Sequence, residues 1–202
     1  MSFMYSVVAR IGDTQGFADA GNSWAGDRIR EFGAIDFTAS NVIMGGEMAG
    51  MTIIGFEFPT ADIAMEANAK IYADDGMVSM MRDTQVQVVR RGLFKVQAEV
   101  GTRTGNVGTI LYVAGRAPDD ATAASNLELN WRHMESGANG IVSLLSIANG
   151  PAPFTGTAVT FADSLDDLLA ASQSMFADAD VQAAMQSSGL SVVGRVMTRR
   201  LV

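Results

Sequence analysis

No cysteine occurs among the 202 residues, so a disulfide framework, a thiolate metal site and a cysteine nucleophile are all excluded. Histidine is nearly absent too. The single one, His133, rules out a histidine-based catalytic triad and any two-histidine metal site. Charged residues make up only 18%, with 14 basic against 22 acidic and no run of Lys or Arg longer than two. That balance disfavours nucleic acid and anionic membrane as partners, because both require clustered positive charge. No apolar run approaches the roughly 20 residues that cross a bilayer. The first residues, Met1 to Tyr5, lack the basic segment and cleavage site of a secretory signal, so a cytoplasmic protein is expected. Phosphate-binding, zinc-protease and nucleophile-elbow motifs are missing as well.

What is present is apolar residues, at 48%, and a repeat. The stretch Lys70-Ile71-Tyr72-Ala73-Asp74, followed by Met81 and Arg91, returns as Ser174-Met175-Phe176-Ala177-Asp178, followed by Met185 and Arg195. The offset is constant at 177 − 73 = 104 residues. From Gly33 onward the features of the halves stay in step: Gly46 with Gly150 in a turn, Thr60 with Ser164 as helix cap, and Asp62 with Asp166 in a first helical turn. The expected organisation is a first unit over residues 1–100, a linker over 101–106 and a second unit over 107–202.

Within the first unit, Phe3 to Arg10 reads as a strand. Trp24 to Phe32 reads as a helix, with Ala25, Ile29 and Phe32 on its apolar face. Ile35 to Met44 and Met51 to Phe58 read as a hairpin around Gly45-Gly46. Thr60 caps a second helix whose stripe is expected at Ala61, Ala64, Met65 and Tyr72. After the break at Asp74-Asp75-Gly76 comes a short helix, and Val86 to Val96 closes the unit as a strand. The order is β-α-β-β-α-β, and the second unit repeats it.

The fold class expected is therefore α+β, with two ferredoxin-like β-α-β-β-α-β repeats packed sheet to sheet. This pattern, including the aspartate-rich break before the last helix of each unit, resembles the dimeric α+β barrel superfamily. Antibiotic-biosynthesis-type monooxygenases, the NIPSNAP and EthD-like families and chlorite dismutase are members. The resemblance implies a tandem version whose barrel closes within one chain, a pocket for a small-molecule ligand, and either no cofactor or, through His133, haem. The helical period puts His133 off the apolar stripe, which argues for a surface histidine instead.

A few residues break the apolar patterning and become site candidates. Trp24 and Trp131, one from the first helix of each unit, either line a pocket or fill the core. Asn68 and Ser172 occupy the same slot on otherwise apolar helices, where each either bonds a ligand or its own backbone. Glu57 alternates with Phe56 and Phe58, so it faces away from whatever they pack against. If that face is the barrel interior, Glu57 is a buried carboxylate and a candidate general base, paired with Arg91 or Arg90. Two functions compete: an enzyme in the style of a cofactor-independent monooxygenase or isomerase acting on an apolar or aromatic compound, and a non-catalytic binding or assembly module. Association into a homo-oligomer is compatible with either.

Overall fold

The computed structural model describes residues 1–202. The first unit consists of β1 (Ser2–Ile11), α1 (Thr14–Ala20), α2 (Gly26–Glu31), β2 (Asp36–Met44), β3 (Thr52–Phe58), α3 (Ala61–Ala73), α4 (Asp75–Asp83) and β4 (Val86–Gly101). The second consists of β5 (Val107–Ala114), α5 (Asp120–Met134), β6 (Gly140–Ala148), β7 (Gly156–Ala162), α6 (Leu165–Ala177), α7 (Ala179–Ser187) and β8 (Ser191–Arg200). The eight strands close into one antiparallel barrel in the order β1-β3-β2-β8-β5-β7-β6-β4. Each unit keeps the ferredoxin-like order, β4-β1-β3-β2 and β8-β5-β7-β6. The edges then join, with Ser40 opposite Arg200 on one seam and Leu144 opposite Val96 on the other.

Side-chain alternation gives each strand two assignments. On β1, Tyr5, Val7 and Ala9 point outward into a core shared with Ile29, Phe37, Phe56, Phe58, Ala64 and Ile71. Met4, Ser6 and Val8 point into the barrel lumen. A matching core forms in the second unit from Leu127, Met134, Ile141, Leu168 and Met175 under α5 and α6.

Three expectations are corrected. Helix one begins at Thr14, ten residues before Trp24, and runs through a π-helical turn at Gly21–Ala25 that joins α1 to α2. The buried stripe of α3 is Ala64, Ala67 and Ile71, while Met65 and Tyr72 are 48% and 44% exposed. In the second unit the same stripe reads Leu168, Ala171, Ser172 and Met175. The expected linker over 101–106 also shares its first residue with a strand: β4 extends through Gly101, and Arg103, in the short connection after it, is bound on several sides.

Arg103 closes one end of the barrel. Its guanidinium donates to Asp36 at 3.0 Å, to Glu99 at 2.8 and 2.7 Å, and to Glu57, which also accepts from the Ser2 hydroxyl. Burial opposes the charge on Arg103, but the hydrogen bonds and charges of Glu99 and Glu57 outweigh it and hold the guanidinium above its ordinary pKa. Arg103→Ala is expected to cost about 3–5 kcal/mol in urea unfolding, because it leaves the buried Glu57 carboxylate without its counter-charge. A loss below about 1 kcal/mol would mean that solvent reaches Glu57 freely.

Aspartates cap the helices as expected. Asp74, Asp119 and Asp178 accept from the backbone N–H groups of Met77, Thr122 and Val181, and these bonds hold all three carboxyls below the usual range. A depressed carboxyl stabilises the fold above the unfolded-state value and ceases to do so as pH falls through the lowered one. Melting temperature should therefore drop on acidification below about pH 4. Asp119→Asn and Asp178→Asn together, which keep an acceptor at each cap, should flatten that drop.

Candidate functional site

Two cavities lie between helices and sheet, one in each unit, and a third fills the barrel lumen. The first-unit cavity, of about 50 Å³, is lined by 17 residues, 15 of them hydrophobic. Its walls come from Val7, Ile54 and Phe56 of the sheet, Ile71 and Met77 of α3 and α4, and Gly21 and Ala25 of the π turn. A π turn widens the helix by one residue and is often found at functional sites. Here it sets two small residues against the cavity while Trp24 turns outward.

One polar cluster interrupts the apolar lining. The Tyr5 hydroxyl donates to Asn68 Oδ1 at 2.8 Å, and Arg91 Nη2 donates to the Tyr72 hydroxyl at 2.6 Å. The Arg91 guanidinium also lies 5.2 Å from the centre of the Tyr72 ring. Tyr5 is fixed from below by stacking on Phe56 at 5.9 Å, and Phe56 in turn stacks on Phe37 at 5.4 Å. Burial pushes the Tyr5 phenol up, and Arg91 only partly offsets this. The hydrogen bond to Tyr72 raises Arg91. Tyr5 is thus a neutral donor and Arg91 a fixed cation at neutral pH. The Asn68 amide N–H groups and the Tyr72 hydroxyl proton make no side-chain contact and are available to a ligand.

Asn68 and Arg91 thus come together, through Tyr5 and Tyr72, which the sequence reading did not select. Both could have been found from the alternation that points Tyr5 and Arg91 to the same side as Phe56. Glu57 faces the interior, as its alternation requires, and is 5% exposed. Its partner is Arg103 and not Arg91 or Arg90, because Arg91 projects from the outer face of β4 and Arg90 from the inner face nearer the opposite end. Trp24 is 42% exposed and sits beside Gly76 on the surface. Trp131 is half-buried at the edge of the second core and lines no cavity described here.

The second unit places the groups at corresponding positions differently. Arg195 Nη2 donates to the Ser172 hydroxyl at 2.7 Å and stacks over Phe176 at 5.7 Å, and burial pulls Arg195 below its ordinary pKa. Ser172 lines a cavity of about 140 Å³ with Thr109, Asn126, Asn130, Leu127 and Met175.

The residues present do not fit haem. His133 projects from α5 toward α6 and α7, with Nδ1 3.5 Å from the Ser174 hydroxyl and Nε2 3.4 Å from Asp178, outside every cavity described above. No group of three or more His, Cys, Asp or Glu residues is arranged to hold a metal ion.

No protein-family model matches the chain, and no curated protein matches it in sequence. Solved structures do match in shape. A protein of Fusobacterium nucleatum assigned as a monooxygenase is 9% identical with a TM-score of 0.64, over 100% of this chain and 93% of that one. One from Lactobacillus acidophilus, likewise assigned, is 8% identical with a TM-score of 0.54, over 100% and 95%. A chlorite dismutase of Candidatus Nitrospira defluvii, solved with cyanide, is 6% identical with a TM-score of 0.56, over 98% and 90%. At these identities the likeness establishes the fold, and the chain has the architecture of the dimeric α+β barrel proteins, completed within one polypeptide.

Proposed function

We propose that this chain is a small-molecule enzyme that holds an apolar or aromatic compound, bearing an acidic phenol or enol oxygen, in the helix–sheet cavity of its first unit. It oxidises that compound without a metal or flavin, as a cofactor-independent monooxygenase does. The observation that carries this reading is that Asn68, Tyr5 and Tyr72 place polar groups in an otherwise apolar cavity, with Arg91 bonded to the Tyr72 hydroxyl.

A phenol or enol bound there meets a permanent cation and two neutral donors in place of water. Donors fixed in advance around a forming oxyanion stabilise it without reorganisation, and this favours the deprotonated ligand. The resulting enolate or phenolate is electron-rich and reacts with dioxygen as co-substrate. For a methylene carbon conjugated to the oxyanion the balance is CH₂ + O₂ → C=O + H₂O, in which one oxygen atom enters the substrate and the other leaves as water. Isomerisation of the same enolate needs a group that carries a proton between two carbons. No carboxylate or histidine lines the cavity, so oxidation is the better-supported course. Two of the proteins that share the fold are assigned as monooxygenases, which is consistent with this choice.

Glu57, in this reading, serves barrel closure and takes no part in proton transfer. We further infer that units 1–100 and 107–202, joined by 101–106, descend from one duplicated ancestor. The 104-residue offset of caps and stripes and the identical strand order of the halves support that descent.

The test is oxygen uptake by the purified chain with a panel of naphthols, hydroquinones and cyclic 1,3-diketones. At least one compound should consume O₂ in equal amount to substrate. Arg91→Gln should lower kcat/KM for it by about 10²–10³-fold, and Tyr72→Phe by about tenfold. Saturable binding with no turnover across the panel would instead identify a non-catalytic binding module.

A further inference from the structure

The barrel lumen is a separate cavity of about 100 Å³, divided from the helix–sheet cavities by the wall of strands. Its two ends differ in charge. At the end where β2 begins and β4 finishes, Asp36, Glu57 and Glu99 outnumber the two guanidiniums of Arg103 and Arg200, so that end keeps a small excess of negative charge. At the opposite end the hairpin loops β2–β3 and β6–β7 fold over the opening, bringing Met48 and Phe154 beside Tyr112. Arg90 stands at this mouth on the inner face of β4. It is half-buried, forms no ion pair, and its guanidinium lies 5.9 Å from the centre of the Phe154 ring. A half-buried cation with no counter-charge is costly unless a ligand or solvent supplies one.

Tyr112 is the second donor at that mouth. Its hydroxyl donates to the Met48 sulfur at 3.7 Å, which is a weak acceptor, and lies beside the Arg90 guanidinium. Burial pushes the phenol up, with Arg90 offsetting part of this, so the hydroxyl keeps its proton at neutral pH. Behind the two donors the lumen narrows between Val8, Ile53, Ile110 and Val142, with the hydroxyls of Ser6 and Thr38 on the same lining. An apolar cavity of roughly 150 Å³ in another protein accepts benzene, so this smaller lumen suits a body of about four carbons.

We propose that the lumen is a second binding site, for a small monocarboxylic acid with an apolar body, entered between the two hairpin loops. The carboxylate lies on Arg90 and the Tyr112 hydroxyl, and the body points toward the Arg103 end, whose excess negative charge forbids the reverse orientation. The phenyl ring of Phe154 covers the ligand at the mouth. This site is independent of the oxidation proposed for the first-unit cavity, because Arg90 and Arg91 project to opposite sides of β4.

The experiment is calorimetric titration of the full chain at pH 7 with butanoate and 2-methylpropanoate, against 1-butanol and 2-methyl-1-propanol as uncharged counterparts. Methyl NMR locates the ligand, with Ile110 reporting the lumen and Ile71 the helix–sheet cavity. Saturable binding of the acids that shifts Ile110 is expected. Arg90→Gln should weaken the acids at least tenfold, Tyr112→Phe should weaken them less, and neither should alter the alcohols. Ile110→Trp, which fills the lumen, should abolish acid binding, whereas Arg91→Ala should leave it unchanged. Absence of saturable binding, shifts at Ile71 without Ile110, or equal affinity of wild type and a folded Arg90→Gln for butanoate would each overturn the proposal.

Discussion

Closure of the strand ladder is the constraint from which the rest of this structure follows. A four-stranded ferredoxin-like sheet standing alone leaves two edges with unpaired backbone groups and one open apolar face. Both are liabilities in water. Joining β2 to β8 and β4 to β6 removes all four edges at once and turns the two open faces toward each other. The length of β4, 16 residues, reflects this double duty, since its first part pairs with β1 and its later part with β6. Once the ladder is closed, alternation fixes two separate environments along every strand, one inside the lumen and one beneath the helices. Neighbouring residues such as Arg90 and Arg91, or Met4 and Tyr5, therefore belong to different chemical sites although they touch in sequence.

A closed barrel with polar residues at its ends must satisfy them. The Arg103 cluster does this at one end, and it draws its acids from β2, β3 and β4, so it also ties the connection between the units to the first unit's sheet. The buried Glu57 carboxylate is part of this plug. Its two oxygens are taken by the Ser2 hydroxyl and the Arg103 guanidinium.

Much of the fold was legible because the signals were local. Periodicity two marked the strands, Thr60 and Ser164 marked helix starts, and the repeat itself argued for two like sheets. Where the reading slipped, the cause is physical. The stripe of Ala25, Ile29 and Phe32 does face the core, but a π turn does not keep a 3.6-residue period and Trp24, one residue before it, turns outward. The α3 stripe was displaced because Ala67 is too small to stand out, and Tyr72, large and apolar, was counted as core although its hydroxyl and the Arg91 contact draw it to the rim. The Glu57 partnership was invisible for another reason: Arg103 lies in a segment without periodicity, and only closure of the barrel brings it to Asp36 and Glu57.

The two helix–sheet cavities give the last step. They occupy equivalent places and keep the same strand arginine, Arg91 or Arg195, reaching toward the same helical slot, Asn68 or Ser172. Yet the positions of Tyr5 and Tyr72 are Thr109 and Phe176 in the second unit. Thr109 is smaller than tyrosine and bonds Thr160 across the sheet instead of the helix, which opens the cavity from about 50 to about 140 Å³. Phe176 stacks under Arg195 as Tyr72 does under Arg91, but it offers no hydroxyl, so Arg195 turns to Ser172. The consequence appears in the charges. Arg91, held by a phenol oxygen at the rim, is raised, while Arg195, half-buried with a lone hydroxyl for a partner, is lowered by burial. Two substitutions thus separate a narrow cavity with a phenol-lined rim from a wider one lined by amide and hydroxyl groups. Chemistry that needs a firmly held cation beside a tight apolar slot belongs to the first unit alone.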